Sequence, residues 1–450
     1  MIGDATFDPG AFETFRFTGR SIDREGRVAL RYALDDQLEF EERFELPVPA
    51  DAGAVESETV QQLLALLHWV AGVSYYKTAA PPRVAFEGEA PPPATARLLE
   101  ALYSEGLGEF AVVNDLPALP HPAFPVGNAP SPDSRPGPPR RVLVPVGGGK
   151  DSAVALEIVR RSKLELALFS VGTAPPIDRT VDVAGLSRLL VRRHLDPQLQ
   201  ELNRSGALNG HIPVTAIIAA AALLTAELHG FDAVALANER SASIGNTVWN
   251  GVEVNHQFSK SARAEELLRD AVSELAAHLR VFSVLRPASE LSIARAFARL
   301  RQYHPAFTSC NRIFRLDPAL RASSWCGDCD KCRFVFLILA PFLDPDVLEE
   351  IFGRAMLDDP EQYAGFALLT GTGGHKPFEC VGEIDDSVAA IRLLAGDPRW
   401  NQQRVVRRLA DEVLPRFGSD EGSPSQVLEL TDDHAVPTEL IDDVHALLGA

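Results

Sequence analysis

Between residues 11 and 49 apolar and polar positions alternate. Phe12, Phe15 and Phe17 precede an Asp23-Arg24-Glu25-Gly26 turn, and apolar positions recur through 28–34 and 38–46. A period of two places one face of a strand in a core, so this stretch predicts a small antiparallel unit. The period then lengthens. Val60, Leu63, Leu64, Leu67 and Val70 share one stripe of a helix over 57–75, and a second helix is expected over 93–105. From Pro117 to Pro139 nine prolines fall in 23 residues, which predicts an extended linker.

Beyond the linker the pattern alternates. Strands are expected at 141–146, 165–171 and 233–237, and helices at 152–162, 186–193, 213–228 and 262–280. Strand and helix in alternation imply a parallel sheet covered on both faces, with ligands at the carboxyl ends of its strands. The last hundred residues read as helical and acidic. The expected organisation is an N-terminal α+β module (1–116), a linker (117–139), an α/β nucleotide-binding domain (140–345) and a helical C-terminal region (346–450).

The first strand of the α/β region ends in Gly147-Gly148-Gly149-Lys150-Asp151-Ser152 and runs into a helix. Glycines let backbone N–H groups approach an anion, and a helix start adds unpaired donors and a positive dipole end. Ser152 can donate a hydroxyl to the same anion. Asp151 suits the site when a cation or water lies between it and phosphate. A nucleotide whose phosphates meet a magnesium ion is the expectation. The spacing is neither a Walker A loop nor a dinucleotide fingerprint. It resembles the Ser-Gly-Gly-x-Asp-Ser loop of N-type ATP pyrophosphatases, with Gly147 in place of the first Ser; those enzymes split ATP into AMP and pyrophosphate. Asn238, Arg240 and Lys260 are further candidates for contacts to the nucleotide.

A formal charge of −19 argues against a broad nucleic-acid surface. The N-terminus shows no signal-peptide pattern, and the longest apolar runs, 212–224 and 334–343, are shorter than the roughly 20 residues of a membrane span. A cytoplasmic location is expected, with no membrane or nucleic-acid partner. Of five cysteines, Cys326, Cys329 and Cys332 are clustered, with Cys310 upstream. Four thiolates so spaced can hold a structural zinc; an iron–sulfur cluster and a set of reduced thiols are the alternatives. The arrangement resembles the zinc site of 7-cyano-7-deazaguanine synthases, with a longer gap to the distal cysteine.

Taken in order, residues 144–152, 209–215, 238–243, 254–260, 309–312, 325–334 and 371–383 resemble the UDP-N-acetyl-α-D-muramoyl-L-alanyl-L-glutamate epimerases. The resemblance implies an ATP- and magnesium-dependent inversion of the terminal L-glutamate of a UDP-muramoyl dipeptide, a step of peptidoglycan precursor synthesis. The chemistry is coherent. A Cα–H beside a free carboxylate is a very weak acid. Adenylating the carboxylate removes that charge and lets the carbonyl hold an enolate. Inversion then calls for an acid and a base on opposite faces. The Gly371-rich segment carries His375, Lys376, Glu379 and Cys380, and Cys380 and His375 lead as proton carriers. His211 and His256 are alternatives. Two other function classes share these features: another adenylate-forming pyrophosphatase that modifies a deazapurine or tRNA, and a nucleotide-binding protein without turnover.

Overall fold

A computed structural model describes residues 7–49, 51–130, 136–314, 322, 324–372, 379 and 381–449. His375, Lys376 and Cys380 lie outside the described residues. The expected antiparallel unit is β1 (Thr14–Ile22), β2 (Arg27–Leu34) and β3 (Leu38–Glu45), joined at its outer edge by the parallel strand β4 (Arg83–Phe86). The alternating region supplies β5 (Arg141–Pro145), β6 (Glu165–Val171), β7 (Arg188–His194), β8 (Ala233–Leu236) and, after a hairpin of β9 (Thr247–Trp249) and β10 (Val252–Val254), β11 (Arg280–Ser283). The architecture is mixed α/β, as expected.

All but the hairpin strands form one sheet in the order β11-β8-β5-β6-β7-β3-β2-β1-β4. From β11 to β7 every pair is parallel, and β3 then pairs antiparallel with β7. The parallel half runs outward from β5 in both directions, first to β6 and β7, then to β8 and β11. The chain therefore reverses its winding between β5 and β8, and a crevice opens at their carboxyl ends.

Successive side chains of β5 serve opposite faces. Val142 and Val144 join a core with the Lys150–Arg161, Glu290–Ala298 and Asp330–Leu339 helices, onto which the C-terminal helices pack. Leu143 joins the other core, with the Glu58–Ala71, Val214–Leu228 and Ala262–Leu275 helices and the N-terminal strands. No helix among the described residues is long and apolar enough to cross a membrane.

Three local expectations need correction. Residues 186–193, expected as a helix, contain strand β7. Leu189, Leu190 and Val191 are contiguous, a pattern shared by buried strands and helices, and pairing with β6 on one side and β3 on the other decides for the strand. The helix expected over 262–280 stops at Leu275, where Ala276 leaves helical geometry, and β11 follows. A helix at Pro175–Ala184, opened by prolines at its first positions, joins β6 to β7 without having been expected. In the proline-rich stretch, Ala123 bridges to Arg83, and the buried Phe124 ring sits 5.0 Å from that of Tyr103.

Candidate active site

The glycine loop leaves β5 at the crevice. Gly148 has φ +80°, and a Cβ there would lie 2.6 Å from the carbonyl carbon of Pro176, so only glycine fits. Gly147 faces open space. Gly149 caps the Lys150–Arg161 helix, whose first turn carries Asp151, and the Ser152 hydroxyl donates to the Gly149 carbonyl at 3.0 Å. The side chain of Asp151 is about a quarter exposed.

Lys150 turns inward. Its ammonium is buried and pairs with Asp151 and with Glu290. Burial alone would lower its pKa, but the two carboxylates outweigh this and raise it. Burial raises Glu290 to about 7. Asp151 is held low despite burial, by Lys150 first, then by Lys331 and Lys260. Lys331 was not expected here, being hidden inside the cysteine motif. It is buried, stands 5.7 Å from the Phe334 ring centroid, and acts electrostatically on both Asp151 and Glu290.

The segment after β8 forms the facing wall. Asn238 and Glu239 are buried, and Glu239 Oε2 has no hydrogen-bond partner among the described residues. Arg240 donates to the carbonyls of Val427 and Glu429, tying this wall to the C-terminal region. Lys260 Nζ donates to Gln257 Oε1 at 3.3 Å. Buried Arg286 joins the parts by donating to the carbonyls of Glu239 (2.6 Å) and Lys260 (2.7 Å) and to Glu265 Oε2 (2.6 Å).

The four cysteines converge. Sγ atoms stand 3.9 Å apart for Cys310 and Cys329, 3.6 Å for Cys326 and Cys332, and 3.5 Å for Cys329 and Cys332. The edge of a zinc–thiolate tetrahedron is about 3.8 Å for a zinc–sulfur bond near 2.3 Å, so the set fits that ion. Gly327 makes the turn at φ +66°, and Cys329 caps the helix that carries Cys332. The cluster also touches the glycine loop: Thr308 N–H donates to the Gly148 carbonyl at 2.9 Å, two residues before Cys310. Glu379 Oε2 accepts from the Lys331 N–H at 2.8 Å, beside the cluster, and burial followed by the neighbouring Cys329 raises its carboxyl.

A second convergence joins segments far apart in the chain. Glu109, His211 and His256 bring one side-chain ligand atom each within 4.8 Å of one another. Glu109 pairs with His256 Nδ1, and the two imidazole centroids are 4.2 Å apart. Burial, then His256, with Lys260 adding to the effect, hold His211 down to about 4. Small residues permit the approach. A Cβ on Gly106 would meet Pro213 at 3.2 Å, one on Gly108 would meet Val254 at 3.1 Å, and one on Gly210 would meet Phe110 at 3.3 Å. Asn114 ties the same strands of chain, donating to the Asn209 carbonyl at 2.9 Å.

Known proteins resemble the chain along nearly its whole length. Residues 6–284 match the family model of the MurL N-terminal domain, and residues 306–422 that of the MurL C-terminal domain. A UDP-N-acetyl-alpha-D-muramoyl-L-alanyl-L-glutamate epimerase of a Micromonospora species is 44% identical over 94% of this chain and 96% of its own. Its counterpart in Salinispora tropica is 44% identical, covering 97% and 96%, and that in Xanthomonas oryzae pv. oryzae is 41% identical, covering 98% and 99%.

Proposed function

The chain belongs to the MurL family, and on that premise we propose that it inverts the terminal L-glutamate of UDP-N-acetylmuramoyl-L-alanyl-L-glutamate to D-glutamate, for peptidoglycan precursor synthesis in the cytoplasm. ATP activates the substrate carboxylate as an adenylate, with release of pyrophosphate. Proton removal and return at Cα follow, and hydrolysis frees AMP and product. The observation that carries the ATP part is the glycine loop at the reversal between β5 and β8, where a helix N-terminus, Ser152 and a part-exposed Asp151 meet.

The roles divide as follows. The N–H groups of Gly147, Gly148 and Gly149 bind pyrophosphate oxygens, and the Ser152 hydroxyl turns from the Gly149 carbonyl to join them. Lys331 and Lys260 supply positive charge. Lys150 holds the loop from beneath through Glu290 rather than reaching outward. Asp151, with the unpartnered Glu239 oxygen on the facing wall, suits a magnesium ion; that ion would neutralise charge on the leaving pyrophosphate. Cys310, Cys326, Cys329 and Cys332 suit a structural zinc that would hold the Thr308–Cys310 segment against Gly148. Cys380 and His375 remain the proposed proton carriers of the 371–383 segment. A thiol near pKa 8.5 can be brought toward neutrality by a cation such as Lys376.

The test is incubation with ATP, magnesium and the L-Glu substrate in deuterated water. Pyrophosphate, D-Glu product and one Cα deuterium per turnover are expected together. Inversion without ATP would contradict adenylation. Cys380→Ala and His375→Ala are expected to release pyrophosphate while forming little D-Glu product. Wild-type inversion by both would remove that segment from proton transfer.

A further inference from the structure

We propose that His256, held by Glu109 and flanked by His211, is the acid–base group that serves one face of the substrate Cα. The inference rests on the adenylation reading above. Three segments distant in sequence meet here, and glycine stands at each close approach. His256 is placed by its own backbone, whose N–H donates to Asn246 Oδ1 at 2.9 Å, and by Asn255 Nδ2, which donates to the Ala242 carbonyl at 2.8 Å. The carboxylate of Glu109 takes Nδ1. That contact sets the tautomer, directs Nε2 as the basic atom and stabilises the imidazolium formed when a proton arrives. Glu109 is a positioning residue; its carboxylate touches the imidazole, not the substrate.

The location suits the role. Through Asn255 and the Ala242 carbonyl the histidine segment packs on the chain that follows β8, and Lys260 acts electrostatically on both Asp151 and His211. A carboxylate activated at the loop and its own Cα, one bond away, need groups so disposed. His211 is neutral near pH 7, so it adds no charge that would oppose protonation of His256. The two rings lie against each other, so the pair serves a single face. A second group serves the opposite face. In the step, the Cα–H bond breaks, its electron pair enters the adenylate carbonyl as an enolate, and the proton goes to His256 Nε2. The enolate then takes a proton from the other face, and the carbonyl re-forms before hydrolysis.

The experiment uses the full chain with ATP, magnesium and the L-Glu substrate in deuterated water, reading pyrophosphate release, Cα deuterium and chirality. His256→Gln is expected to keep pyrophosphate release within about threefold while inversion and Cα exchange fall about 10²-fold or more. Glu109→Gln is expected to move the acidic limb of the inversion rate about one unit lower, because the imidazolium loses its carboxylate; His211 and Lys260 are the other titratable groups facing it. Wild-type inversion by H256Q overturns the assignment. So does joint loss of both activities in an H256Q chain of unchanged melting temperature, which would make His256 a binding residue. If H256Q does not fold, an unmoved acidic limb in E109Q overturns it. Wild-type chain that releases no pyrophosphate defeats the adenylation reading instead, which the other outcomes leave standing.

Discussion

The two faces of the central sheet meet the crevice with different chemistry. On the face that carries the cysteines, cations and backbone donors gather around the glycine loop: the Lys150–Glu290 pair beneath it, Lys331 beside it, and the Thr308–Cys310 segment against Gly148. On the face that carries the N-terminal module, Glu109, His211 and His256 gather with Phe110 and Phe258 in the apolar core behind them. The first set suits a transferring phosphate and the second a carbon acid. In the proposed reaction, activation of the carboxylate falls to the first set and movement of the α-proton to the second, and Lys260 acts electrostatically on a member of each.

Arg286 is the place to break both halves at once. It holds the carbonyls of Glu239 and Lys260, and its removal takes the donor from Oε2 of the buried Glu265, leaving only the Oε1 contacts to Arg269 and the Ser283 N–H. Arg286→Met is expected to cost about 3–5 kcal/mol, the usual range for opening a buried pair, and urea unfolding measures it. Wild-type stability would show that the halves do not depend on this link.

Asp151→Asn and Ser152→Ala break the phosphate half alone. Each is expected to reduce pyrophosphate release about 10²-fold, on the scale of losing one donor to developing charge, with the melting temperature kept. Near-normal release in both variants would remove these residues from the site. Withdrawal of the proposed zinc would act on the same half from behind. Close to one zinc per chain is expected, and a chelator should lower the melting temperature by at least about 5 °C. Full stability without metal would contradict a structural ion, and visible absorption would indicate iron and sulfur.

The histidine half is distinguished by pH. The folded pKa of His211 is about 4, below its ordinary 6.5. Unfolding therefore takes up a proton below pH 6.5, so the neutral ring contributes stability in full above that value and loses it as pH falls toward 4. His211→Asn should flatten the stability profile across that window; an unchanged slope would place the titration elsewhere, with buried His68, held down to about 3, the next group. The smallest effect is expected at Gly147, where nothing lies within 4 Å of an added Cβ. Gly147→Ser should leave stability within about 0.5 kcal/mol, whereas Gly148→Ala should disable the loop. Equal damage from both would mean that the loop is held differently.

The glycine loop and the convergence of the cysteines were readable in the amino-acid sequence because their signals are contiguous. Three glycines, Asp151 and Ser152 stand between a strand and a helix, and the cysteines keep ligand spacing. The histidine half was readable only as loose parts. His211 and His256 were candidates among others, and Glu109, a single acid on the short Gly108–Val113 helix, reaches His256 across 147 residues of chain. Nothing in local spacing announces such a contact. Lys331 was missed for the opposite reason, since the cysteines around it already explained its motif. In the fold, periodicity located the edge meander and several of the helices, passed over the Pro175–Ala184 helix and misjudged β7, whose apolar run is too short to tell strand from helix until its neighbours pair with it.

The central claim is that the two halves act separately, and a side-by-side assay of Asp151→Asn and His256→Gln tests it most directly. Both variants and wild type are given ATP, magnesium and the L-Glu substrate in deuterated water, and pyrophosphate and Cα deuterium are counted in the same samples. The account predicts that D151N loses both products, while H256Q continues to release pyrophosphate and takes up almost no deuterium. Loss of both products in step in the two variants, with each chain folded, would contradict it.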